Sequence, residues 1–241
     1  GFLGAGKTTL LQNLLAQARS LEGVTLGVVV NEMSQLDVDG SVLDTSEVIS
    51  RRSPHFASIA GVSISSVDGI AQFRSAVQKV LADGEVTHLV IETSGSTHPW
   101  PLLSAMREMP EIALHGFLSV VDTVVLCQDQ DFGRAIQPAA AAHLQAGKRG
   151  VENLLAEQIM FASRGLLSKS DRVPRKTLKE VAEAVHPLNP HADIVAMQWG
   201  NLSLEKILAM PAYNFMRVEL FGSELTRWEA EHGRGSLAQP T

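Results

Sequence analysis

The sequence has 241 residues, of which 45% are hydrophobic, so it is long enough to bury the core of one large α/β domain. Its 20 basic and 26 acidic residues give a net charge of −6, and it has no long basic stripe of the kind that binds nucleic acid. No apolar run approaches the ~20 residues that span a bilayer. The single cysteine, Cys127, excludes an internal disulfide. We therefore expect a cytoplasmic protein that binds neither nucleic acid nor a membrane.

The chain opens on a glycine-rich segment, residues 1–9, which we call the phosphate loop. Its glycines let successive backbone N–H groups point at phosphate oxygens. Lys7 would place its charge on the β- and γ-phosphates, and the Thr8 hydroxyl would ligate Mg²⁺. The pattern therefore predicts nucleotide binding, with Lys7 also catalytic. The predicted binding residues of this segment are Gly4, Ala5, Gly6, Lys7, Thr8 and Thr9.

Beyond the phosphate loop, predicted helices and strands alternate, as a parallel sheet requires. Helices are predicted over residues 7–19, 68–82, 99–109, 175–185 and 203–209, and strands over 24–30, 88–91, 116–121, 165–168 and 194–196. The remaining long segments are 32–56, which is polar and irregular, and 134–163, which is rich in helix. The pattern predicts an α/β protein with the three-layer P-loop NTPase fold and a mainly parallel central sheet.

The expected domain organisation is a nucleotide-binding domain over residues 1–210, followed by an extension and tail over 211–241. A phosphate loop normally follows a strand. We expect that first strand to lie before Gly1, where the sequence is trimmed.

Two acidic residues at strand ends are candidates for the Mg²⁺ side of the site. Glu92 is followed three residues later by Gly95, which suits a loop that moves with occupancy of the γ-phosphate position. Glu92 is therefore predicted to be catalytic and, with Thr8, to hold the metal. Asp122 ends a later strand, and for it a role at the metal and a role at a helix N-terminus stay open.

With these segments in place, the chain resembles the CobW-like family of P-loop GTPases, relatives of the urease and hydrogenase nickel-insertion GTPases. The resemblance covers about residues 1–210. It rests on the phosphate loop, Asn31-Glu32, Glu92-Thr93-Ser94-Gly95 with Pro99, Val121-Asp122, Gln158, the segment Leu166-Leu167-Ser168-Lys169-Ser170-Asp171 and Asn189-Pro190.

The resemblance implies that the nucleotide is GTP or GDP. In the family an Asn-Lys-x-Asp segment reads guanine, and its matching residues here are Ser168, Lys169 and Asp171. The Asp171 carboxylate would accept hydrogen bonds from the ring N1–H and the exocyclic amine, a donor pair that adenine lacks. The stem of Lys169 would pack over the base. Ser168 stands in place of Asn, which weakens the pocket without reversing its preference.

The chain departs from the family at its metal element. The stretch that matches the family's Cys-x-Cys-Cys, about residues 56–66, contains no cysteine, and Gln35 replaces a switch glutamate. Serine does not replace a thiolate as a soft-metal ligand. The family's zinc or cobalt pocket is therefore not expected here, and His55, His98 and His115 are the remaining candidate ligands for a transition metal.

These features favour a slow, Mg²⁺-dependent GTPase that acts as a switch or chaperone for a client protein, with a metalloenzyme as the candidate client. No arginine finger or catalytic glutamine is evident, so a low intrinsic rate is expected. Two alternatives stay open: an ATP-dependent kinase or ATPase on the same scaffold, and a nucleotide-binding module that does not hydrolyse its ligand.

Overall fold

The structure, a computed structural model, describes residues 1–32, 55–129, 131–134, 136 and 151–216. The strands of this part are β1 (Leu26–Glu32), β2 (Phe56–Ala60), β3 (His88–Glu92), β4 (Leu118–Asp122), β5 (Arg164–Ser168) and β6 (Asp193–Ala196). The α-helices are α1 (Lys7–Ala18), α2 (Val67–Leu81), α3 (Pro99–Arg107), α4 (Thr123–Asp129), α5 (Val151–Met160), α6 (Arg175–Val185) and α7 (Leu204–Leu208). Short 3₁₀ turns cover Asp131–Gly133, Ser170–Arg172 and His186–Leu188.

Every pair of neighbouring strands in the described sheets is parallel. β1 lies between β2 and β3, and β5 lies between β4 and β6. Val30 is opposite Glu92 in one sheet, and Asp122 is opposite Ser168 in the other. The α/β class predicted from the sequence is confirmed. In such folds ligands bind at the carboxyl ends of the strands, which is where Glu92, Asp122 and Ser168 lie.

The described strands form the sheet layer as two three-stranded sheets rather than as one continuous sheet. Their inner edges are β3 and β4, which are not hydrogen-bonded to each other. A cavity of about 430 Å³ runs along β3 and is also lined by Leu118 and Val120 of β4. Gly1 lies at this cavity, with its Cα so close to the carbonyl of Val120 that a Cβ would collide with it.

Helix α1 fixes the phosphate loop to the core. Its apolar residues recur at helical spacing, and all of them are buried: Leu10, Leu11, Leu14, Leu15 and Ala18. They pack in one cluster with β1, where Val28 is fully buried. Full burial of a leucine stabilises a fold by about 1.5–3 kcal/mol. The loop that precedes Lys7 is therefore joined to a rigid helix and does not have to be ordered by its ligand alone.

Two described elements were not predicted from the sequence. Strand β2 alternates between buried residues, Ala57 and Ile59, and exposed ones, Ser58 and Ala60. This period of two extends over only five residues at a sheet edge, too short to stand out beside a long polar stretch. Helix α4 directly follows β4, where we predicted no helix before residue 134.

The last described residues lie against the domain. The Tyr213 hydroxyl donates a 2.7 Å hydrogen bond to the carbonyl of Phe161, and the Phe215 ring meets Tyr213 edge-on at 5.0 Å. Residues 217–241 lie outside the described part, so the division at residue 210 stays a prediction. Over the described residues, no helix combines the length and the apolar content needed to cross a membrane.

Candidate nucleotide-binding site

The phosphate loop turns directly into α1. Helix α1 begins at Lys7, immediately after Gly6, which has a φ of 93°. The carbonyl of Phe2 accepts a 3.2 Å bond from the Ala5 N–H and a 2.9 Å bond from the Lys7 ammonium. Burial lowers the pKa of Lys7, and the charge of Glu92 works against that shift. The loop is thus a curled backbone, with a charged amine folded over it and a helix N-terminus behind it, an arrangement suited to phosphate.

Thr8 and Glu92, the two residues predicted to hold the metal, are in contact. The Thr8 hydroxyl donates a 2.6 Å hydrogen bond to Oε1 of Glu92, across 84 residues of sequence. Glu92 is the last residue of β3, and Thr8 lies in the first turn of α1. Mg²⁺ prefers oxygen ligands and is usually held by one or two protein groups together with substrate phosphates. A hydroxyl and a carboxylate in contact beside a phosphate loop fit that ion.

The loop after Glu92 packs on the phosphate loop. A Cβ at Gly95 would lie 2.8 Å from the backbone nitrogen of Leu3 and 3.0 Å from the Phe2 carbonyl carbon. Real Cβ atoms do not approach backbone so closely, so this contact requires glycine. The sequence pattern predicted that Gly95 belongs to a loop that moves, and this stays a prediction. The structure shows that Gly95 permits close contact between the two loops.

Helix α5 holds the same loop from its other side. The Gln158 amide donates 3.1 Å bonds to the carbonyls of Gly95 and Thr97. The neighbouring residue, Glu157, is buried and lies 2.8 Å from Nδ1 of His98. Residues 92–98, which we call the Glu92 loop, are therefore clamped between the phosphate loop and α5.

At the carboxyl end of β4, Asp122 makes the contacts expected for the second of its two candidate roles. Its Oδ1 accepts a 3.0 Å bond from the N–H of Val124 at the start of α4, and its Oδ2 pairs with the Lys169 ammonium. Asp122 is thus a strand-end residue that stabilises a helix N-terminus and positions Lys169. The close contact with Thr8 belongs to Glu92.

The predicted base-reading residues lie together after β5. Lys169 has a φ of 54° and leads into the 3₁₀ turn that carries Asp171, whose side chain is exposed. Ser168 is buried, and its hydroxyl donates a 3.1 Å bond to the carbonyl of Val121. The Ser168 side chain therefore links β5 to β4. The guanine contact predicted for Ser168 stays a prediction, as do those of Lys169 and Asp171.

The three candidate metal-ligating histidines are not collected at this site. His55 lies beside Asp83 at 2.9 Å and Glu85 at 3.5 Å. This trio is the one group of three potential ligands found in the described part of the chain, and it includes neither of the other two histidines. His98 pairs with Glu157, as described above, and His115 lines the cavity along β3.

Two residues from the resemblance have structural partners. The buried Asn31 amide donates to the carbonyls of Ile59 and Val62, which ties β1 to the turn after β2. Asn189 donates to three carbonyls at the end of α5: Ile159, Met160 and Ala162. Met33, Ser34 and Gln35, which the resemblance places in a switch, lie outside the described residues.

Sequence reasoning missed Glu157 and recognised Gln158 only by its spacing. Both belong to a helix whose other buried positions are apolar, such as Leu155 and Ile159. Adjacent Glu and Gln at buried positions of such a helix are unusual, because buried polar groups need partners. The adjacent Glu157 and Gln158 could therefore have been recognised as unusual from the sequence. Their hydrogen-bond partners, however, lie in a loop about 60 residues earlier, and the sequence does not indicate that contact.

The fold and this site together define a P-loop nucleotide-binding protein. The family model described as CobW/HypB/UreG, nucleotide-binding domain, matches residues 1–196. The chain therefore belongs to this family.

Two curated relatives show the same similarity. The chain is 25% identical over 232 residues to a zinc-regulated GTPase metalloprotein activator 1 of Dictyostelium discoideum, an alignment that covers 90% of the chain and 48% of the relative. It is 29% identical over 230 residues to a zinc chaperone CobW of Pseudomonas aeruginosa, which covers 88% of the chain and 58% of the relative. The chain thus spans about half the length of these relatives.

Among solved structures, the chain is similar to HypB from Helicobacter pylori in complex with nickel. The identity is 15% and the TM-score 0.47, over 99% of this chain and 88% of that one.

Proposed function

We propose that this protein binds GTP with Mg²⁺, hydrolyses it slowly, and uses the two nucleotide states as a switch or chaperone for a client protein. The observation that carries the proposal is the 2.6 Å contact between Thr8 and Glu92, next to the phosphate loop. It joins the candidate metal position to the Glu92 loop, so a change at the γ-phosphate can reach α5 through residues 92–98. A metalloenzyme as client is part of the proposal, supported by the family and by the similarity to a zinc-regulated GTPase metalloprotein activator.

The residues of the chain have separable roles in this reaction. Hydrolysis joins a water oxygen to the γ-phosphorus and breaks its bond to the β–γ bridging oxygen, giving GDP and phosphate. Lys7 would release the Phe2 carbonyl and place its charge on the β- and γ-phosphates. Thr8 and Glu92 would hold Mg²⁺, which neutralises charge on the phosphates. Residues 56–66 contain no cysteine, so we assign none of them as a ligand for a transition metal.

Phosphate release from GTP and from ATP is the direct test. We expect GTP hydrolysis well below 1 s⁻¹, on the order of the slow intrinsic rates of GTPases that lack an arginine finger. ATP should be hydrolysed at least tenfold more slowly, and EDTA should abolish the activity while added Mg²⁺ restores it. A strong preference for ATP would contradict the proposal. So would tightly bound nucleotide with no phosphate release over hours, which would mark a module that only binds.

Guanine recognition by Asp171 gives a second prediction. The variant Asp171→Asn should lose about 30-fold in GTP affinity, since hydrogen bonds to charged groups contribute about 1.5–3 kcal/mol. It should gain affinity for xanthosine triphosphate, because xanthine carries an oxygen where guanine carries its exocyclic amine.

Calorimetric titration of both nucleotides into both proteins measures this exchange. The matched control is Asp129→Asn, a change at another exposed aspartate that should leave both affinities as they are. Unchanged GTP affinity in Asp171→Asn would remove Asp171 from the base site.

A further inference from the structure

One exposed aromatic residue lies in a strained turn after β6. Trp199 is 72% exposed and has a φ of 53°, and Gly200 follows with a φ of 67°. The Asn201 N–H bonds to the carbonyl of Gln198 at 2.8 Å and closes the turn. Turns with two central residues of positive φ favour Asn, Asp and Gly, because bulky side chains are strained there. A tryptophan at this position is unfavourable for the turn, and its exposed side chain contributes little to the core.

The turn is fixed to the helix that carries the phosphate loop. The Asn13 amide donates a 2.8 Å hydrogen bond to the carbonyl of Trp199. A Cβ at Gly200 would lie 2.7 Å from the backbone nitrogen of Leu10, so the turn sits directly on the first turns of α1. Leu10 is two residues from Thr8. The backbone of Trp199 is therefore close to the end of α1 at which the phosphates are expected.

The same segment is also fixed to the predicted base-reading loop. The carbonyl of Met197 accepts bonds from Ser170, at 3.4 Å from its N–H and 3.2 Å from its hydroxyl. Ser170 lies between Lys169 and Asp171. Trp199 thus follows, by two residues, the residue that is bonded to the base-reading loop, and its own carbonyl is bonded to α1. With the phosphates at the N-terminus of α1 and the base at Asp171, as proposed above, the nucleoside would lie between those two elements.

We propose that Trp199 is a binding residue whose indole stacks on the nucleoside of the bound nucleotide. This inference rests on the proposed function. Stacking on an aromatic side chain depends little on which base is present, because every base has a π face. Trp199 would therefore add affinity without choosing guanine, while Asp171 makes the choice. The exposure and the backbone strain of Trp199 are accounted for if its partner is the ligand.

The test measures GDP affinity and thermal stability together. Trp199→Asn places a residue suited to positive φ in the turn, so its melting temperature should rise or stay level while GDP affinity falls about tenfold. Trp199→Tyr keeps an aromatic face and should remain within about threefold of the wild type. In the Asp171→Asn background, Trp199→Asn should weaken xanthosine diphosphate binding by the same factor.

Intrinsic fluorescence supplies a second readout. The sequence has three tryptophans, Trp100, Trp199 and Trp228. GDP should change the emission of the wild type, and most of that change should be absent in Trp199→Tyr.

The outcomes separate the two proposals. If the wild type binds GDP and Trp199→Asn binds it within twofold as well, the stacking role is wrong and the proposed function stands. The stacking role is also wrong if Trp199→Asn loses affinity only through unfolding. If the wild type binds no guanine nucleotide, the proposed function fails and this inference fails with it.

Discussion

Replacing Lys7 with methionine is expected to slow GTP hydrolysis by on the order of 1,000-fold and to weaken GTP binding by about 30-fold. Methionine keeps an unbranched stem of similar length and removes the charge. In the structure that charge is held over the phosphate loop by a 2.9 Å bond to the carbonyl of Phe2. Its surroundings are partly desolvated, and this partial burial lowers the pKa of Lys7. Electrostatic stabilisation of the transferring phosphoryl group is stronger in such a setting than in water.

Stability should change in the opposite direction to activity. Lys7 is partly buried, and a partly buried ammonium costs desolvation energy, so its removal should leave the melting temperature of Lys7→Met equal to or above that of the wild type. The matched control is Lys79→Met, which removes an exposed lysine from α2 and should retain full activity. Hydrolysis by Lys7→Met within tenfold of the wild-type rate, measured by phosphate release, would show that Lys7 is not catalytic.

The parts of the site that could be predicted from the sequence are mostly contained in short segments of the chain. The phosphate loop is contiguous, and its chemistry follows from residue types at fixed spacing. Glu92 was preferred to Asp122 for the Mg²⁺ side of the site because a strand end followed by a glycine is a local pattern; that role stays a prediction, and the structure places Glu92 in contact with Thr8. The helix and strand bounds agree closely where apolar periodicity is long, as in α1, which was predicted over residues 7–19 and observed over Lys7–Ala18.

What could not be predicted depends on partners distant in sequence. Gln158 and Gly95 are 63 residues apart, and neither segment indicates that the other is its partner. The same holds for Lys169 and Asp122, whose ion pair joins two strand ends. The role proposed for Trp199 rests on contacts with α1, more than 180 residues earlier in the chain. Local patterns identify residue chemistry, but only the packing of the sheets decides which side chains meet.

Removing the imidazole of His98 is expected to lower the free energy of unfolding by about 3 kcal/mol, the largest stability loss among the proposed single changes. Its partner, Glu157, is 5% exposed, whereas His98 itself is 26% exposed. His98→Ala would leave a buried carboxylate without its 2.8 Å contact, and an unpaired buried charge is far costlier than an absent pair. For a domain of this size the melting temperature should fall by about 6–12 °C.

A double-mutant cycle separates the cost of an orphaned charge from lost packing. His98→Ala combined with Glu157→Leu removes both partners, so the double variant should be more stable than His98→Ala by about 2 kcal/mol. Urea unfolding at 25 °C measures all four proteins. If His98→Ala and the double variant are equally unstable, leaving Glu157 without its partner carries no cost of its own. The loss at His98 would then be one of packing alone.

The same variants test whether the contacts from α5 to the Glu92 loop are needed for GTP hydrolysis. His98 ends that loop, and Gln158 holds it at Gly95 and Thr97. The double variant, folded at 25 °C, should still bind GDP within about threefold, because the phosphate loop and the base-reading loop are untouched. Its GTP hydrolysis should fall by about tenfold, since Glu92 would lose the support that keeps it against Thr8. Equal losses in GDP affinity and in hydrolysis would mean that α5 supports the whole site. A loss confined to hydrolysis would place α5 on the path from the γ-phosphate to the client.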